Sequence, residues 1–536
     1  MSILRSLLAC AAVASLSAIG LPALAQSPVE VQQRVEGEPL KVGERSVELT
    51  RLRPFYRERG YRLAWSGANE ARGEQLLVEL QAAAVAEGLS PEAYRVPATG
   101  SDLDHDLLVS DALMRFGTDL AIGRVQPQRM YGGMGPETRP AFDGQAFLRA
   151  LAAGKPFAEV AQAVAPSYAG YVRLVQALAH YRTIARAGGW PTIPDGPSIK
   201  PGTEDERIAV VRRRLVASGD LDPQYAKGHH KLDGPVSGAL KRFQARHGLD
   251  QDGAVGKQTL AALNVPVESR IGQIVANLER WRWMPRRLED SHVAVNIAAA
   301  QLELVENGTV TLAMRVVVGD TKHPTPTFTT TMNALTLNPA WQVPPSIATK
   351  EILPKLRRDP NYLASQNLRI TAFPEDSPEA AGSGMDWTAS RKFPYRLRQP
   401  PGPDNALGQL KFNLKDSDDI YLHDTPNHKA FGRSYRALSH GCVRVERPIE
   451  LGERLLGSEW EGKLQAALAK DKTTRALKLE HRVAVYLLYW TAWADPDGSV
   501  HFRDDLYGHD KRLQGALDHA RATAARVAQD QPHGAL

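Results

Sequence analysis

HVAVNIAAAQLELVENGTVTLAMRVVVGD, residues His292–Asp320, is the stretch that decides how the last part of this 536-residue chain folds. Apolar residues alternate with others on both sides of Asn307-Gly308. An Asn-Gly pair between two alternating runs is a strong hairpin signal, because both central positions of the tight turn need φ > 0. The spacing therefore predicts a β-rich domain. Outward from the hairpin, the same period of two returns at NALTLNP (333–339), QLKFNL (409–414) and DIYLHD (419–424). It returns again at RVAVYLLYWTAWADPDGSVHF (482–502), which carries its own Asp-Pro-Asp-Gly turn. Between NALTLNP and QLKFNL lies an irregular insertion, about Ile347–Asn405, that mixes a short helical run (TKEILPKLRR) with Gly-, Pro- and Ser-rich stretches. Insertions of that length in a compact β domain are often lids over a binding site.

Upstream the period is helical. From Val47 to about Gly189, apolar residues recur at three- and four-residue spacing with no cluster of nucleophiles, bases or metal ligands, which predicts a helical scaffold. TIPDGPSIKPGTED (192–205) reads as a linker. A compact helical unit follows from Glu206 to about Val265, with periodic apolar positions at Leu240, Phe243, Leu249, Val255, Leu260 and Leu263. His229 and His230 precede its second helix and read as surface residues, since no Cys or second His pair accompanies them.

The N-terminus has the composition of a cleavable secretory signal: Arg5, then an apolar run closed by Ala23-Leu24-Ala25. Cys10 lies in a sequence that faintly resembles a lipoprotein cleavage box, but only a very short leader would precede it. The expectation is an exported, periplasmic protein with no membrane span after cleavage. The net charge of +6, from 66 Lys and Arg against 60 Asp and Glu, is not concentrated in any block. It does not imply nucleic acid, while a mild cationic excess suits a partly anionic polymer.

Loss of the signal leaves Cys442 as the only thiol. In an oxidising compartment an unpaired cysteine is either an inert buried side chain or a reactive one. Its neighbours are LSHGCVRVERP (438–448), with His423 about nineteen positions upstream at the end of DIYLHD. A cysteine nucleophile needs a base or a cationic partner, and amide donors for the charge that develops on an attacked carbonyl. His423 could supply the first. Gly441 lets the backbone turn so that its own N–H and that of Cys442 face a substrate oxygen.

YLHDTP followed by SHGCVR resembles the catalytic motif of the L,D-transpeptidases, the YkuD family. Phe243-Gln244, Gly248-Leu249, Asp252-Gly253, Val255-Gly256, Thr259 and Ala262-Leu263-Asn264 resemble a peptidoglycan-binding domain. With NPAWQVPPSIATKEILPKL and PGPDNALGQLKF, the chain is similar to the large Gram-negative enzymes of the YcbB type, although some of these have Ser-Ser-Gly-Cys where this chain has Ser439-His440-Gly441-Cys442. The resemblance implies a multidomain α+β chain. Its expected parts are a signal (1–25), a helical scaffold (26–200), a small helical peptidoglycan-binding domain (201–268), a β-rich catalytic domain (285–500) with a capping insertion (347–405), and a C-terminal helical tail (501–536).

The same resemblance implies that Cys442 is the nucleophile and His423 the general base or imidazolium partner, with the backbone carbonyl of Asp424 orienting the other ring nitrogen. It makes Tyr421, Gly441 and the Cys442 amide candidates for the oxyanion or substrate-positioning groups, and leaves the role of His440 open. Arg444 is a candidate for a stem carboxylate and Trp341 for the cleft wall; either residue is equally readable as structural. The implied partners are peptidoglycan tetrapeptide stems, as donor and acceptor, and other cell-wall synthases. The implied chemistry is a thioester intermediate resolved into a 3→3 cross-link, or hydrolysed if water is the acceptor, with no cofactor and no metal.

Three other readings are weighed on the same residues. A papain-like or NlpC/P60 hydrolase places the cysteine first and at a helix start, whereas here the histidine comes first and strands surround both. A metal site from His423, His440 and Cys442 lacks further ligands in the nearby sequence. A non-catalytic wall-binding scaffold has no use for a lone thiol beside this histidine and glycine.

Overall fold

The structure, a computed structural model, describes residues 27–42, 45–131, 141–371, 379–380, 387, 391–415, 417 and 420–529. The expected signal sequence, 1–25 with Cys10, lies outside these residues, as do parts of the capping insertion and the end of the C-terminal tail. Among the described residues no helix is long and apolar enough to cross a membrane.

The first part is helical apart from a small hairpin of β1 (Leu40–Val42) and β2 (Arg45–Val47). The helices Glu70–Ala86, Asp102–Ile122, Gly144–Ala152 and Phe157–Val164 bury Leu76, Leu80, Leu107, Leu113, Phe116 and Leu148 in one apolar core. The next unit, centred on the helices Ile208–Ala217, Gly234–Arg246 and Lys257–Leu263, has a separate core around Val211, Leu240, Phe243 and Leu263. Its Gln244 side chain explains the motif spacing: it donates to Asp252 Oδ1 at 2.7 Å, Ala254 O at 3.0 Å and Thr259 Oγ1 at 3.1 Å, and accepts from Gly253 N at 2.8 Å. One amide thus fixes the loop that joins two helices, and Gly253 serves there because its φ is +71°.

Helix Val267–Arg282 joins the parts. Its Glu279 accepts from the Val125 amide of the scaffold at 2.8 Å, Arg282 donates to Tyr171 Oη at 3.1 Å, and Arg280 pairs with Asp510 at 2.5 Å. These side chains are buried, so each charge depends on the partner facing it.

The last part is built from β3 (His292–Asn296), β4 (Gln301–Glu306), β5 (Thr309–Gly319), β6 (Phe328–Leu337), β7 (Trp341–Val343), β8 (Arg369–Thr371), β9 (Glu379–Ala380), β10 (Arg396–Gln399), β11 (Leu410–Leu414), β12 (Leu422–His423), β13 (Ala437–Ser439), β14 (Val443–Val445), β15 (Arg475–Leu488), β16 (Ala492–Ala494) and β17 (Val500–Phe502). The Asn307-Gly308 turn joins β4 to β5 with φ of +53° and +76°. The main sheet runs β5–β14–β12–β11–β6–β15–β3–β4, and β4 pairs again with β5, so it closes on itself; β13 adds to β5 in parallel. Alternate residues such as Val293, Val295, Leu335, Leu337, Phe412, Leu422, Val443 and Val445 fill the interior.

Strand β15 reads as a continuous apolar run because both of its faces are covered. Val485 and Leu487 face the interior, while Ala484, Tyr486 and Leu488 pack on the helices Ala169–Arg186 and Val267–Arg282.

The insertion differs from the irregular segment that its sequence suggests. It starts earlier, at Trp341, and has its own antiparallel sheet in the order β7–β10–β8–β9 and its own core of Val343, Leu353, Leu356, Ile370, Phe393 and Leu397. Strands of two to four residues are too short to show a period, and their pairing is non-local, so the alternation was not visible locally.

Candidate active site

The parallel pairing of β12 with β14 sets the site. Leu422 lies opposite Val443 and His423 opposite Arg444, and the Val443 amide donates to the Tyr421 carbonyl at 3.1 Å. Leu422, Val443 and Val445 point into the core, so the alternate set, Tyr421, His423, Cys442 and Arg444, is brought to the other face. On the far side of β12, β11 puts Lys411 opposite His423, and its ammonium sits 4.1 Å above the Tyr421 ring. Three short strands thus assemble residues up to thirty-three positions apart.

His423 is 4% exposed, and its Nδ1–H donates to the Asp424 carbonyl at 2.5 Å, which leaves Nε2 without the proton. Burial first, and then the Arg444 charge, push its pKa down to about 3, against the smaller opposing effect of the Asp424 carbonyl. Cys442 is a half-buried thiol outside any disulfide. Burial raises its pKa, while Tyr421, Lys411 and Arg444 pull the other way. The resting pair is therefore neutral imidazole and neutral thiol, which suits a general base better than a preformed ion pair.

The Asp424 carboxylate does separate work. It accepts from the amides of Gln409 at 2.8 Å and Thr425 at 2.7 Å, clamping the turn before β11. Gly408 in that turn has φ +62°, and a Cβ there would lie 2.4 Å from the Asp424 carboxyl carbon, so the clamp requires glycine.

The loop before Cys442 is held from inside. Ser439 Oγ donates to the Cys442 carbonyl at 2.6 Å and accepts from the Gly441 amide at 3.2 Å. This corrects the expectation that the Gly441 N–H faces a substrate oxygen: it is spent on Ser439, because the serine hydroxyl sits under the turn. What Gly441 contributes is conformation, at φ +113°. Thr325 Oγ1 donates to the Gly441 carbonyl at 2.7 Å and accepts from Gly319 N at 2.8 Å, and Tyr507 Oη donates to the Gly319 carbonyl at 2.6 Å. Thr325 and Tyr507 gave no signal in the sequence, since neither sits in a motif or a periodic run; Ser439 lay inside the motif, unassigned.

A cleft of about 300 Å³ separates the cap from the sheet face. Trp341, Glu351, Lys355 and Asp404 line it on one side and Thr425 and Arg444 on the other. Arg444 Nε is buried there with no hydrogen-bond partner, and burial lowers the pKa of its guanidinium. This leaves a cationic donor available to a carboxylate. Trp341 is half-buried and also packs on the cap core, so it serves both as wall and as support. His440 hydrogen-bonds through Nε2 to Glu351 of the cap. His229 and His230 are both exposed.

Residues 290–466 match the family model of the YkuD "L,D-transpeptidase catalytic domain". Residues 50–178 match a "Scaffold domain", and residues 204–263 a "Putative peptidoglycan binding domain". A Haemophilus influenzae protein named "Putative L,D-transpeptidase" is 38% identical over 267 residues, 48% of this chain and 53% of that protein. The chain thus spans about half the length of the curated relative it matches. Among solved structures, an L,D-transpeptidase from Mycobacterium smegmatis is 12% identical, with a TM-score of 0.19, over 37% of this chain and 58% of its own. Residues 123–326 of an L,D-transpeptidase from Xylanimonas cellulosilytica are 16% identical, with a TM-score of 0.17, over 55% of this chain and 99% of that one.

Proposed function

We propose that this chain, whose catalytic domain is of the L,D-transpeptidase (YkuD) family, forms 3→3 cross-links between diaminopimelate residues of peptidoglycan through a Cys442 thioester, as a periplasmic enzyme of the large YcbB type. The observation that carries this reading is the β12–β14 register, which gathers His423, Cys442 and Arg444 on one face beneath a cap, with the Asp424 carbonyl fixing the His423 tautomer.

In the first half-reaction, His423 Nε2 takes the thiol proton as Sγ attacks the carbonyl of the L-centre of diaminopimelate in a tetrapeptide stem. The tetrahedral oxyanion collapses, the C–N bond breaks, and D-Ala leaves as an amine carrying the proton from the imidazolium. In the second, the D-centre amine of a neighbouring stem attacks the thioester. Its proton passes to His423 and then to the departing sulfur, restoring the thiol. Arg444 binds a carboxylate of the stem, and the cap holds the flexible peptide and excludes the water that would divert the thioester to hydrolysis.

The test is to incubate the purified protein with disaccharide tetrapeptides and weigh the products. A dimer lighter by one D-Ala supports transpeptidation; tripeptide alone replaces it with carboxypeptidase activity. No product from the native chain, or unchanged product from Cys442→Ala, removes the proposal.

A further inference from the structure

A second cleft, of about 440 Å³, lies where the 204–263 unit meets the catalytic domain, away from Cys442. One wall carries Asp250, Gln251 and Gln258, and the other Arg433, Ser434 and Tyr435, which belong to the loop running from His423 back to Cys442. Five of these six side chains are exposed, and Tyr435 is 52% exposed. The walls are held in place. Arg246 donates to the Val500 carbonyl at 3.1 Å, and Arg503 donates to the Arg246 carbonyl at 2.9 Å, so each domain grips the other beside the cleft. Arg436 at its base donates to the carbonyls of Arg433, Ala299 and Ala300 at 2.8 to 3.2 Å, which fixes the loop wall to the sheet.

We propose that this cleft binds the glycan strand of peptidoglycan: an N-acetylated disaccharide, with the first anionic group of its peptide stem against Arg433. A sugar offers hydroxyls and amides that both donate and accept, and two glutamines, an aspartate and a serine match that chemistry. It also offers an apolar C–H face, for which an exposed tyrosine ring is the matching surface. The arginines at the base and on the loop favour the anionic group over a cationic one. A site already rigid before the ligand arrives loses little affinity to ordering.

The position fits the proposed reaction, on which this inference rests. The loop wall continues into β13, and Cys442 lies five residues beyond Ala437, at most roughly 17 Å along the chain. Three extended stem residues span about 10 Å before the link to the sugar is counted. A glycan in this cleft would therefore leave its own stem within reach of the thiol. It would do so against the loop that connects base and nucleophile.

The experiment uses the mature chain and two probes. Isothermal titration with the peptide-free disaccharide of N-acetylglucosamine and N-acetylmuramic acid should show binding to the wild type. Tyr435→Ala and Gln258→Ala should each weaken it by about 3- to 10-fold, the size of one aromatic face or one hydrogen bond, while Arg433→Ala, which faces the stem, should instead raise KM for the disaccharide tetrapeptide by a similar factor. Steady-state kinetics then compare free tetrapeptide with disaccharide tetrapeptide. The KM advantage of the sugar-bearing donor in the wild type should shrink toward unity in Tyr435→Ala and Gln258→Ala. Equal disaccharide affinity in wild type, Tyr435→Ala and Gln258→Ala, or no binding at all, overturns the site even if cross-linking is observed. Binding that the variants lose, in a chain that processes no stem, supports the site and sinks only the proposed reaction. Because the three side chains are exposed and come from both walls, loss in all of them does not reduce to misfolding, and unchanged thermal unfolding checks this.

Discussion

His440, two residues before Cys442, donates from Nε2 to the Glu351 carboxylate, and the two belong to different parts of the catalytic domain: His440 to the nucleophile loop and Glu351 to the helical turn of the cap. Behind His440 the His323 ring is tilted against it at 4.7 Å between centroids, and Asp320 accepts from His323 Nδ1 at 3.1 Å. Two carboxylates therefore bracket two imidazoles across the seam where the cap meets the site. The two side chains are about one-third exposed, so the contact is worth less than about 1 kcal/mol. Its consequence is geometric, because it fastens the cap within two residues of the thiol.

Glu351→Gln keeps a hydrogen-bond acceptor, and Glu351→Ala removes it. We expect Glu351→Ala to raise KM for the stem by about 2- to 5-fold, the range of an exposed polar contact. It should also shift products from dimer toward tripeptide as water enters. Glu351→Gln should lie between the two. Quantifying dimer and tripeptide by mass spectrometry decides it: a product ratio identical in all three proteins shows that the contact has no part in cap closure.

The neutral resting pair predicts the pH behaviour of the thiol. With His423 held down to about 3 and Cys442 raised by burial, alkylation of Cys442 by iodoacetamide should be slow at neutral pH and still rising above pH 9. A reactivity plateau beginning below pH 7 would mean a thiolate–imidazolium pair and contradict the reading. A carbapenem, whose lactam carbonyl resembles the scissile one, should add its mass to the native chain and not to Cys442→Ala.

How much of this was legible in the sequence depends on distance along the chain. The Asn307-Gly308 turn, the alternation around it and the Gly441-Cys442 pair with His423 upstream are local signals, and each appears in the structure as turn, strand or loop. The cap sheet was not legible, since β7 and β10 pair across more than fifty residues and neither is longer than four. Nor were Thr325 and Tyr507, whose hydroxyls hold the nucleophile loop from 116 positions before Gly441 and 188 after Gly319. The buried charges of helix Val267–Arg282 carry no local sequence signal, because their partners Glu87 and Asp510 lie about 200 positions before and after them. The Gly441 amide departs from its expected role for a smaller reason: its acceptor is a hydroxyl two residues away, and side-chain direction cannot be read from spacing.

Gly408→Ala tests the clamp beneath His423. A Cβ at φ +62° is strained and meets the Asp424 carboxylate, so Asp424, and with it the carbonyl that orients His423, must move. We expect kcat to fall by about 10- to 100-fold, the cost of misplacing a general base, with KM changed much less. Asp424→Asn, which keeps the carbonyl and the side-chain volume, should retain more activity than Gly408→Ala. The opposite order would show that the carboxylate, rather than the carbonyl, serves the histidine.

Acid should loosen the molecule at three joints. His423 lies in the site. His247 stacks between Phe243 and Phe502 where the 204–263 unit meets the catalytic domain, and His509 packs edge-on against Tyr131 and Tyr489 at the C-terminal helix. Burial is the main cause that lowers all three pKa values, His423 to about 3, His509 to about 4, and His247 well below the ordinary 6.5. Above pH 6.5 both folded and unfolded forms are neutral, so these groups cost nothing. As pH falls below 6.5 the unfolded chain takes up a proton that the folded chain refuses, and stability drops by about 1.4 kcal/mol per pH unit per histidine until the folded pKa is reached. The buried carboxyls of Asp106 and Asp119 act in the opposite sense, because burial raises their pKa and the folded chain protonates first. Their effect lies above the ordinary carboxyl value of 3.8, up to the raised folded value, and there it opposes the histidines. Thermal unfolding measured from pH 7.5 to 5 should therefore show a falling midpoint, and the fall should be shallower in His509→Gln than in the native chain. A fall equally steep in His509→Gln and in the native chain would require the His509 ring to take up a proton in the folded state, and so to be less sealed from water than its packing indicates.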